Sequence, residues 1–184
     1  MNANLQPSGS AYFIPDVTQV PERHTLSVLV ANEPGILARI AGLFSARGFN
    51  IDSLTVSETE HEKGLSRLTI VTTANPKTLG QIKMQLGRLV PVHKVHDLTV
   101  EGEAVERELA LVKVAGTGEH RVETLRIADA FRAKVVDACT DSFVFEITGK
   151  SSKVEQFIAL MVPLGLVEVV RTGMAAISRG KDKM

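Results

Sequence analysis

Residues 24–54, HTLSVLVANEPGILARIAGLFSARGFNIDSL, decide the fold of the first half of this chain. Apolar residues at every second position predict a strand over residues 25–31. After the Asn-Glu-Pro-Gly loop, apolar residues recur every three or four positions, which predicts an amphipathic helix that Gly48 ends. The buried stripe predicted for this helix consists of Leu37, Ile40, Ala41 and Phe44. β-Branched residues then predict a second strand over residues 50–57.

The loop before the helix has the features of an anion site. Pro34 presets the backbone for a first helical turn, and Gly35 allows another molecule to approach the chain closely. The first-turn amides of Gly35, Ile36 and Leu37 would then point outward at the positive end of the helix dipole. A carboxylate fits this position, although from the residues alone a plain strand-to-helix turn explains the loop equally well.

The first module continues with the elements of a ferredoxin-like fold. A polar hairpin loop over residues 58–64 leads into a strand over 65–73. Asn75 caps the next helix, and Pro91 ends it before a strand over 92–100. The order is βαββαβ, which predicts a four-stranded antiparallel sheet with two helices on one face.

The same order of elements occurs a second time. The predicted strands cover residues 107–114, 134–140, 143–148 and 167–172, and the predicted helices cover residues 119–132 and 153–162. We therefore expect an α+β protein of two tandem ferredoxin-like modules. The predicted boundaries are a flexible N-terminal extension over residues 1–23, a first module over 24–100, a linker over 101–106 and a second module over 107–184.

Composition restricts the partners and the compartment. Lys plus Arg and Asp plus Glu number 21 each, so the chain lacks the excess of cations that nucleic-acid binding normally uses. The apolar run over residues 157–167 is interrupted by Pro163 and Gly165 and is too short to cross a membrane. The first 23 residues do not resemble a leader peptide, and the single cysteine, Cys139, predicts a cytoplasmic protein.

The sequence predicts neither a metal site nor a catalytic site. His93 and His96 are three residues apart on a predicted strand, so they would face opposite sides. No known nucleophile, metalloprotease or phosphate-loop motif is present. The turn over residues 115–120 corresponds to the first-module loop, and a plain turn is favoured over a second ligand site there. Residues 171–180 form either an edge strand or a surface for a partner.

Several segments together resemble one protein family. These are NEPGILARIAGLFSARGFNIDSLTV, SRLTIV, QLGRLVPVHKV, RELALVKV and the closing SRG. The first resembles the ACT domain of the small regulatory subunit of acetohydroxyacid synthase, also called acetolactate synthase. The likeness covers about residues 25–180, and the combination of GFNIDSLTV with RELALVKV and SRG is specific to this family. The first module would then be the ACT domain.

The resemblance implies a ligand site between two copies of the chain. In that family ACT domains pair side by side, and the feedback inhibitor, usually valine, lies between them. The matching loop residues are Asn32, Gly35, Ile36 and Leu37, and the matching strand residues of the neighbouring copy are Asn50 and Ile51. From the residues alone, Asn50 after a glycine-containing segment is better explained as a turn residue.

The resemblance also implies a function and a partner. The chain would be a non-catalytic subunit that activates a catalytic large subunit and confers valine inhibition in the biosynthesis of branched-chain amino acids. The large subunit would carry thiamine diphosphate, Mg²⁺ and FAD, and this chain would carry no cofactor. A free-standing ACT-type regulator that responds to an amino acid is the main alternative, and an enzyme in its own right is a more distant one.

Overall fold

The computed structural model describes residues 20–60 and 64–181. Predictions made for residues 1–19, 61–63 and 182–184, which include most of the N-terminal extension, lie outside the described residues. The strands are β1 (Glu22–Ala31), β2 (Ser53–Glu60), β3 (Leu65–Ala74), β4 (Val92–Asp97), β5 (Ala104–Ala115), β6 (Lys134–Ala138), β7 (Ser142–Gly149), β8 (Leu166–Arg171) and β9 (Ala175–Ser178). The α-helices are α1 (Ile36–Ser45), α2 (Pro76–Leu86), α3 (Gly118–Ala130) and α4 (Ser151–Met161), and a short 3-10 helix covers Val162–Leu164.

The first module is the predicted four-stranded antiparallel sheet. The strand order is β2-β3-β1-β4, so β1 and β3 are central and β2 is an edge strand. The helix-facing side chains of β1 and β3 pack against α1 and α2. The buried residues of this core are Leu26, Val28, Val30, Ile36, Ile40, Leu43, Phe44, Leu68, Ile70, Ala74, Leu79, Ile82 and Leu86.

The second module repeats the arrangement with its own core. Its strand order is β6-β7-β5-β8, again antiparallel throughout. Three phenylalanines, Phe143, Phe145 and Phe157, are buried at its centre, and the rings of Phe145 and Phe157 meet edge to face. The two antiparallel sheets with four helices confirm the predicted fold of two tandem ferredoxin-like modules.

Several predicted boundaries are wrong, among them the end of β4, which stops at Asp97 rather than at residue 100. The second strand begins at Ser53 rather than at residue 50, and it continues to Glu60 into the predicted hairpin loop, because pairing with β3 extends to Leu65. Leu37 is 43% exposed instead of buried, because α1 begins at Ile36 and turns Ile36, Ile40, Leu43 and Phe44 toward the core. β1 begins at Glu22, inside the predicted extension.

The predicted linker over residues 101–106 is also wrong at its end. Ala104 already belongs to β5, and the first part of β5, Ala104 to Arg107, pairs with β9. Residues 171–180 thus include a strand, which is one of the two alternatives predicted for them. This two-stranded ribbon lies against the helix-free face of the first sheet, where the buried Thr25 donates from Oγ1 to Glu106 at 2.7 Å. The second module is therefore in direct contact with the first.

Among the described residues, no helix is both long enough and apolar enough to cross a membrane.

Candidate functional site

The loop between β1 and α1 contains a tight turn centred on Pro34 and Gly35. The Ile36 N–H donates to the Glu33 carbonyl at 3.3 Å, and Gly35 has φ 84° and ψ −2°. These angles at the position after proline are those of a type II turn, which favours glycine. A Cβ built on Gly35 would meet no atom within 4 Å, so the space above the loop is open. Backbone conformation, not crowding, therefore requires glycine here.

Three amides at the start of α1 are available to a ligand. Gly35 is the N-cap, and neither a side-chain cap nor an acidic residue in the first turn is present. The Arg39 N–H donates to the Gly35 carbonyl at 3.0 Å, whereas the N–H groups of Gly35, Leu37 and Ala38 have no acceptor among the described residues. The prediction that Ile36 offers its amide is wrong, because the turn uses it. Leu37 and Ala38 thus form an uncapped pair of donors at the positive end of the helix.

Helix α2 shows what a capped start looks like in the same module. There the side chain of Asn75 accepts a hydrogen bond from the Thr78 N–H at 2.8 Å, and Pro76 occupies the first helical position. The difference between the two helices is local. At α1 the chain places a glycine where a capping side chain would otherwise occupy the donors.

The other predicted loop residues have different surroundings. Asn32 is exposed, and its N–H donates to the Gly64 carbonyl at 2.7 Å, which holds the loop against the β2–β3 connection. Leu37 is exposed beside the free amides. The Ile36 side chain is only 8% exposed and packs in the core, so it supports the loop from below.

Asn50 and Ile51 lie just before β2. Asn50 is exposed; its Nδ2 donates to Asp52 Oδ1 at 2.6 Å, and its main-chain oxygen accepts a hydrogen bond from Thr72 Oγ1 at 2.6 Å. Ile51 is half-buried against the core. The bond from Thr72 fixes this segment on β3. The side-chain oxygen Oδ1 of the exposed Asn50 is not used in either bond, so it can accept a hydrogen bond from another molecule.

The structure does not bring the two predicted groups together within one chain. Asn32 bonds to Gly64 at one end of β3, and the Asp52 N–H bonds to the Val71 carbonyl near the other end. Seven residues of strand separate these positions, or roughly 23 Å. Within a single copy the loop at Gly35 and the segment at Asn50 are therefore too far apart to contact one small ligand together; we call these two candidate regions the loop half-site and the strand half-site.

Sequence reasoning missed a buried histidine–aspartate pair in the first module. His24 Nδ1 lies 3.1 Å from Asp97 Oδ2, and both side chains are buried. Asp97 Oδ1 also accepts a hydrogen bond from the Thr99 N–H at 3.0 Å. His24 Nε2 is buried and has no partner among the described residues. Since the pair spans 73 positions of sequence, no local pattern could have indicated it.

Of the two histidines weighed as metal ligands, His96 is engaged by a carboxylate. Its Nδ1 lies 2.6 Å from Glu101, which also accepts from Lys83 at 3.3 Å and from the Asp97 N–H at 3.1 Å. Burial by itself would raise the pKa of Glu101, but these hydrogen bonds and the charge of His96 hold the pKa below its ordinary value. Over residues 20–60 and 64–181, no three His, Cys, Asp or Glu side chains are grouped so that they could hold a metal ion.

Two family models match the chain, one for each module. Residues 26–94 match the AHAS small subunit-like ACT domain, and residues 107–180 match the small subunit of acetolactate synthase. A probable acetolactate synthase small subunit of Archaeoglobus fulgidus is 47% identical over 161 residues, which cover 88% of this chain and 99% of the relative. The chain belongs to the acetolactate synthase small-subunit family. Both modules contribute to that assignment, because the match extends over nearly the whole relative.

Other members of the small-subunit family support the assignment. The acetolactate synthase small subunit of Haemophilus influenzae is 46% identical, with coverage of 88% of this chain and 99% of the relative. The crystal structure of the acetolactate synthase small subunit from Thermotoga maritima superposes with a TM-score of 0.78 at 41% identity, covering 88% of this chain and 99% of that one. The resemblance stated from the sequence is thus confirmed, and so is the identification of an ACT-type regulatory domain.

Proposed function

We propose that this small subunit activates the catalytic large subunit of acetolactate synthase and makes it sensitive to valine or a related branched-chain amino acid. The observation that carries the proposal is the uncapped pair of amides at Leu37 and Ala38, next to Gly35 with its open Cβ position, in an ACT domain of this family. The role would be feedback control of isoleucine, leucine and valine biosynthesis.

The two half-sites have the chemistry of an amino-acid site. The amides of Leu37 and Ala38 can donate to a carboxylate, and the helix dipole adds to this attraction. The side-chain oxygen of Asn50 can accept from an ammonium group. The exposed part of Leu37 and the half-buried Ile51 can cover an aliphatic side chain. Each group of a branched-chain amino acid thus has a counterpart.

A second copy of the chain can bring the half-sites together. β2 is an edge strand that runs parallel to β1, so the Gly35 loop lies at the end of the sheet where β2 finishes. When two β2 strands pair antiparallel about a two-fold axis, the end of one strand lies beside the start of the other. The loop half-site of one copy would then face the strand half-site of the second copy. Val56, 46% exposed near the middle of β2, would become buried.

Inhibition then follows from linkage. A ligand that contacts both copies stabilises the arrangement in which its two half-sites meet, and it shifts the equilibrium only by its difference in affinity between arrangements. The large subunit would respond to that arrangement. Thiamine diphosphate, Mg²⁺ and FAD would belong to the large subunit, and the proposal assigns none of them to this chain.

Reconstitution tests the proposal. The large subunit is assayed for acetolactate formation alone, with this chain, and with this chain and L-valine. We expect activation by the chain and its reversal by valine. If activity and valine response are the same with and without the chain, the proposal is wrong. A chain that binds valine but neither binds nor affects the large subunit would instead support a free-standing ACT-type regulator.

A further inference from the structure

The second module reaches back onto the start of β2. After β8 the chain passes through residues 172–174, which we call the clasp, before it enters β9. The Met174 N–H donates to Ser53 Oγ at 2.9 Å, and the Met174 side chain is only 2% exposed. The clasp thus ties the C-terminal module to the first residue of β2.

Gly173 makes this contact unusually close. Its φ is 85°, and a Cβ built on it would lie 2.9 Å from Ser53 Oγ and 2.9 Å from Thr55 Oγ1. Thr55 Oγ1 is buried and has no hydrogen-bond partner among the described residues. Both the backbone conformation and the lack of space therefore favour glycine, and a displacement of Ser53 or Thr55 toward Gly173 would press on the clasp.

The strand half-site belongs to the same stretch of chain. Asn50 and Ser53 are three residues apart, and the segment between them is held on β3 by Thr72 and Thr73, whose hydroxyls donate to the Asn50 main chain and to Asp52. The start of β2 is therefore fixed on one side by β3 and on the other by the clasp. A ligand that moved Asn50 would act directly on the clasp contact.

The clasp is in turn anchored inside the second module. The Thr172 N–H donates to the Leu109 carbonyl at 3.0 Å, and the Leu109 N–H donates to Thr172 Oγ1 at 3.1 Å. The preceding residue, Arg171, pairs with the buried Glu108 and lies 3.7 Å from Glu155 on α4. A displacement of Gly173 would thus act, through these contacts, on β5 and α4, which are core elements of the second module.

A cleft beside the clasp leaves room for such movement. It has a volume of about 540 Å³ and lies between the modules. Arg23 and Thr73 line it on the side of the first module, and Arg171 lines it on the side of the second. The Arg23 guanidinium donates to Ser151 Oγ of the second module at 3.3 Å. The contact at the clasp is tight, whereas the space next to it is open.

We infer that the clasp transmits amino-acid binding at the strand half-site of β2 to the C-terminal module, and through that module to the catalytic subunit. This inference rests on the proposed function, since it takes the ligand to be bound at Asn50. It separates two properties of the chain. The half-sites determine how tightly the amino acid binds, and the clasp determines how much of that binding changes the activity of the complex.

Gly173→Ala in the full-length chain tests the inference. The added methyl group meets the hydroxyl oxygens of Ser53 and Thr55 at 2.9 Å, so either the clasp or these two side chains have to move and the contact is changed. The matched control is Gly180→Ala, which has a similar φ of 94° but no atom within 4 Å of its Cβ. L-valine affinity is measured by calorimetry, and activity is measured on the complex with the large subunit, with and without saturating L-valine.

The expected result is a separation of binding from inhibition. Gly173→Ala should bind L-valine within about threefold of the parent chain and still activate, but it should lose about half or more of the inhibition at saturating valine. Gly180→Ala should match the parent in all three properties. Full inhibition with Gly173→Ala overturns the inference.

A second variant guards against failure of Gly173→Ala to fold. Ser53→Ala removes only the acceptor of the Met174 N–H bond, and it should weaken inhibition in the same direction with valine affinity retained. Unchanged inhibition with Ser53→Ala would equally overturn the inference. A parent chain that binds no L-valine refutes the proposed function and the inference together, whereas a parent that binds and is uncoupled by neither variant refutes the clasp alone.

Discussion

Replacing Gly35 with aspartate places a negative charge over the amides that the proposed site uses. A non-glycine residue at φ 84° costs about 1 to 2 kcal/mol, but a Cβ there meets no atom within 4 Å. The helix dipole favours an anion at this end by about 0.3 to 1 kcal/mol, which offsets part of that cost. The free energy of unfolding should therefore fall by no more than about 1 to 2 kcal/mol.

Ligand affinity should fall much further. Two carboxylates about 5 Å apart near a protein surface repel each other by about 3 kcal/mol at an effective dielectric constant of about 20. That energy corresponds to a loss in affinity on the order of 100-fold. The loss arises because the carboxylate of the amino acid and that of Asp at position 35 would compete for the same donors at Leu37 and Ala38.

Calorimetric titration of the full chain with L-valine measures this effect, and two variants separate its causes. Gly35→Ala has the same backbone cost without the charge, and it should lose less than about tenfold in affinity. Gly180→Asp adds the same charge at a glycine with φ 94° and open surroundings, and it should bind like the parent. Affinity of Gly35→Asp within about threefold of the parent would show that the amides of α1 do not hold the ligand.

Four further predictions concern the dimer, the strand half-site and the stability of the first module. Val56→Lys should yield monomers in analytical ultracentrifugation, because the exposed edge of β2 is the proposed interface. The control Val90→Lys, at a position that is 95% exposed, should stay dimeric. A dimeric Val56→Lys chain would contradict this interface. Asn50→Ala should weaken L-valine binding by about 1 to 3 kcal/mol in calorimetry, and an unchanged Kd would remove Asn50 from the site. Asp97→Ala should lower the free energy of unfolding in urea by about 3 to 5 kcal/mol, because it leaves the buried His24 without its partner; a loss below about 1 kcal/mol would refute this account of the pair. The lowered pKa of Glu101 implies a contribution to stability that is present above its ordinary value of 4.5 and is lost as pH falls through the lower folded value. Glu101→Gln should therefore remove less than about 1 kcal/mol at pH 7, given the exposure of the side chain, and should flatten the stability curve below pH 4.5; equal slopes for both chains would contradict this.

The elements that could be predicted are those whose signals are local. Asn75 and Pro76 mark the start of α2 in the sequence, and the structure shows the cap bond that this pair predicts. Alternation over β7 likewise predicts a strand with one face in a core, whereas β1 is buried on both faces. The end of β2 could not be predicted, because the polar residue Glu58 is kept in the strand by pairing with Ser66 and not by its own propensity.

Features that depend on partners far away in the chain could not be predicted from the sequence. The strand β9 exists because it pairs with the first part of β5, about 70 residues earlier, and residues 175–178 by themselves indicated either a strand or a contact surface. The approach of Gly173 to Ser53 is equally invisible in the chain.

The candidate site has one part that could be predicted from the sequence and one part that could not. The loop at Gly35 could be recognised from its residues, since Pro34 and Gly35 together determine the turn. The position of Asn50 relative to that loop could not, because it follows from the register of β3 with its two neighbours. The same register separates the two half-sites within one copy, so the proposed site needs a second copy; from the sequence, that expectation came only through the family resemblance.

Mixing two variants with weakened L-valine binding tests most directly whether each amino-acid site is shared between two chains. Gly35→Asp chains lack the loop half-site and Asn50→Ala chains lack the strand half-site, so random pairing of equal amounts should restore one complete site in every mixed dimer. Calorimetry at an L-valine concentration too low for either variant alone should then show about one site per four chains. No binding in the mixture, with mixed dimers shown by native mass spectrometry, would contradict a site built from the Gly35 loop of one copy and Asn50 of the other.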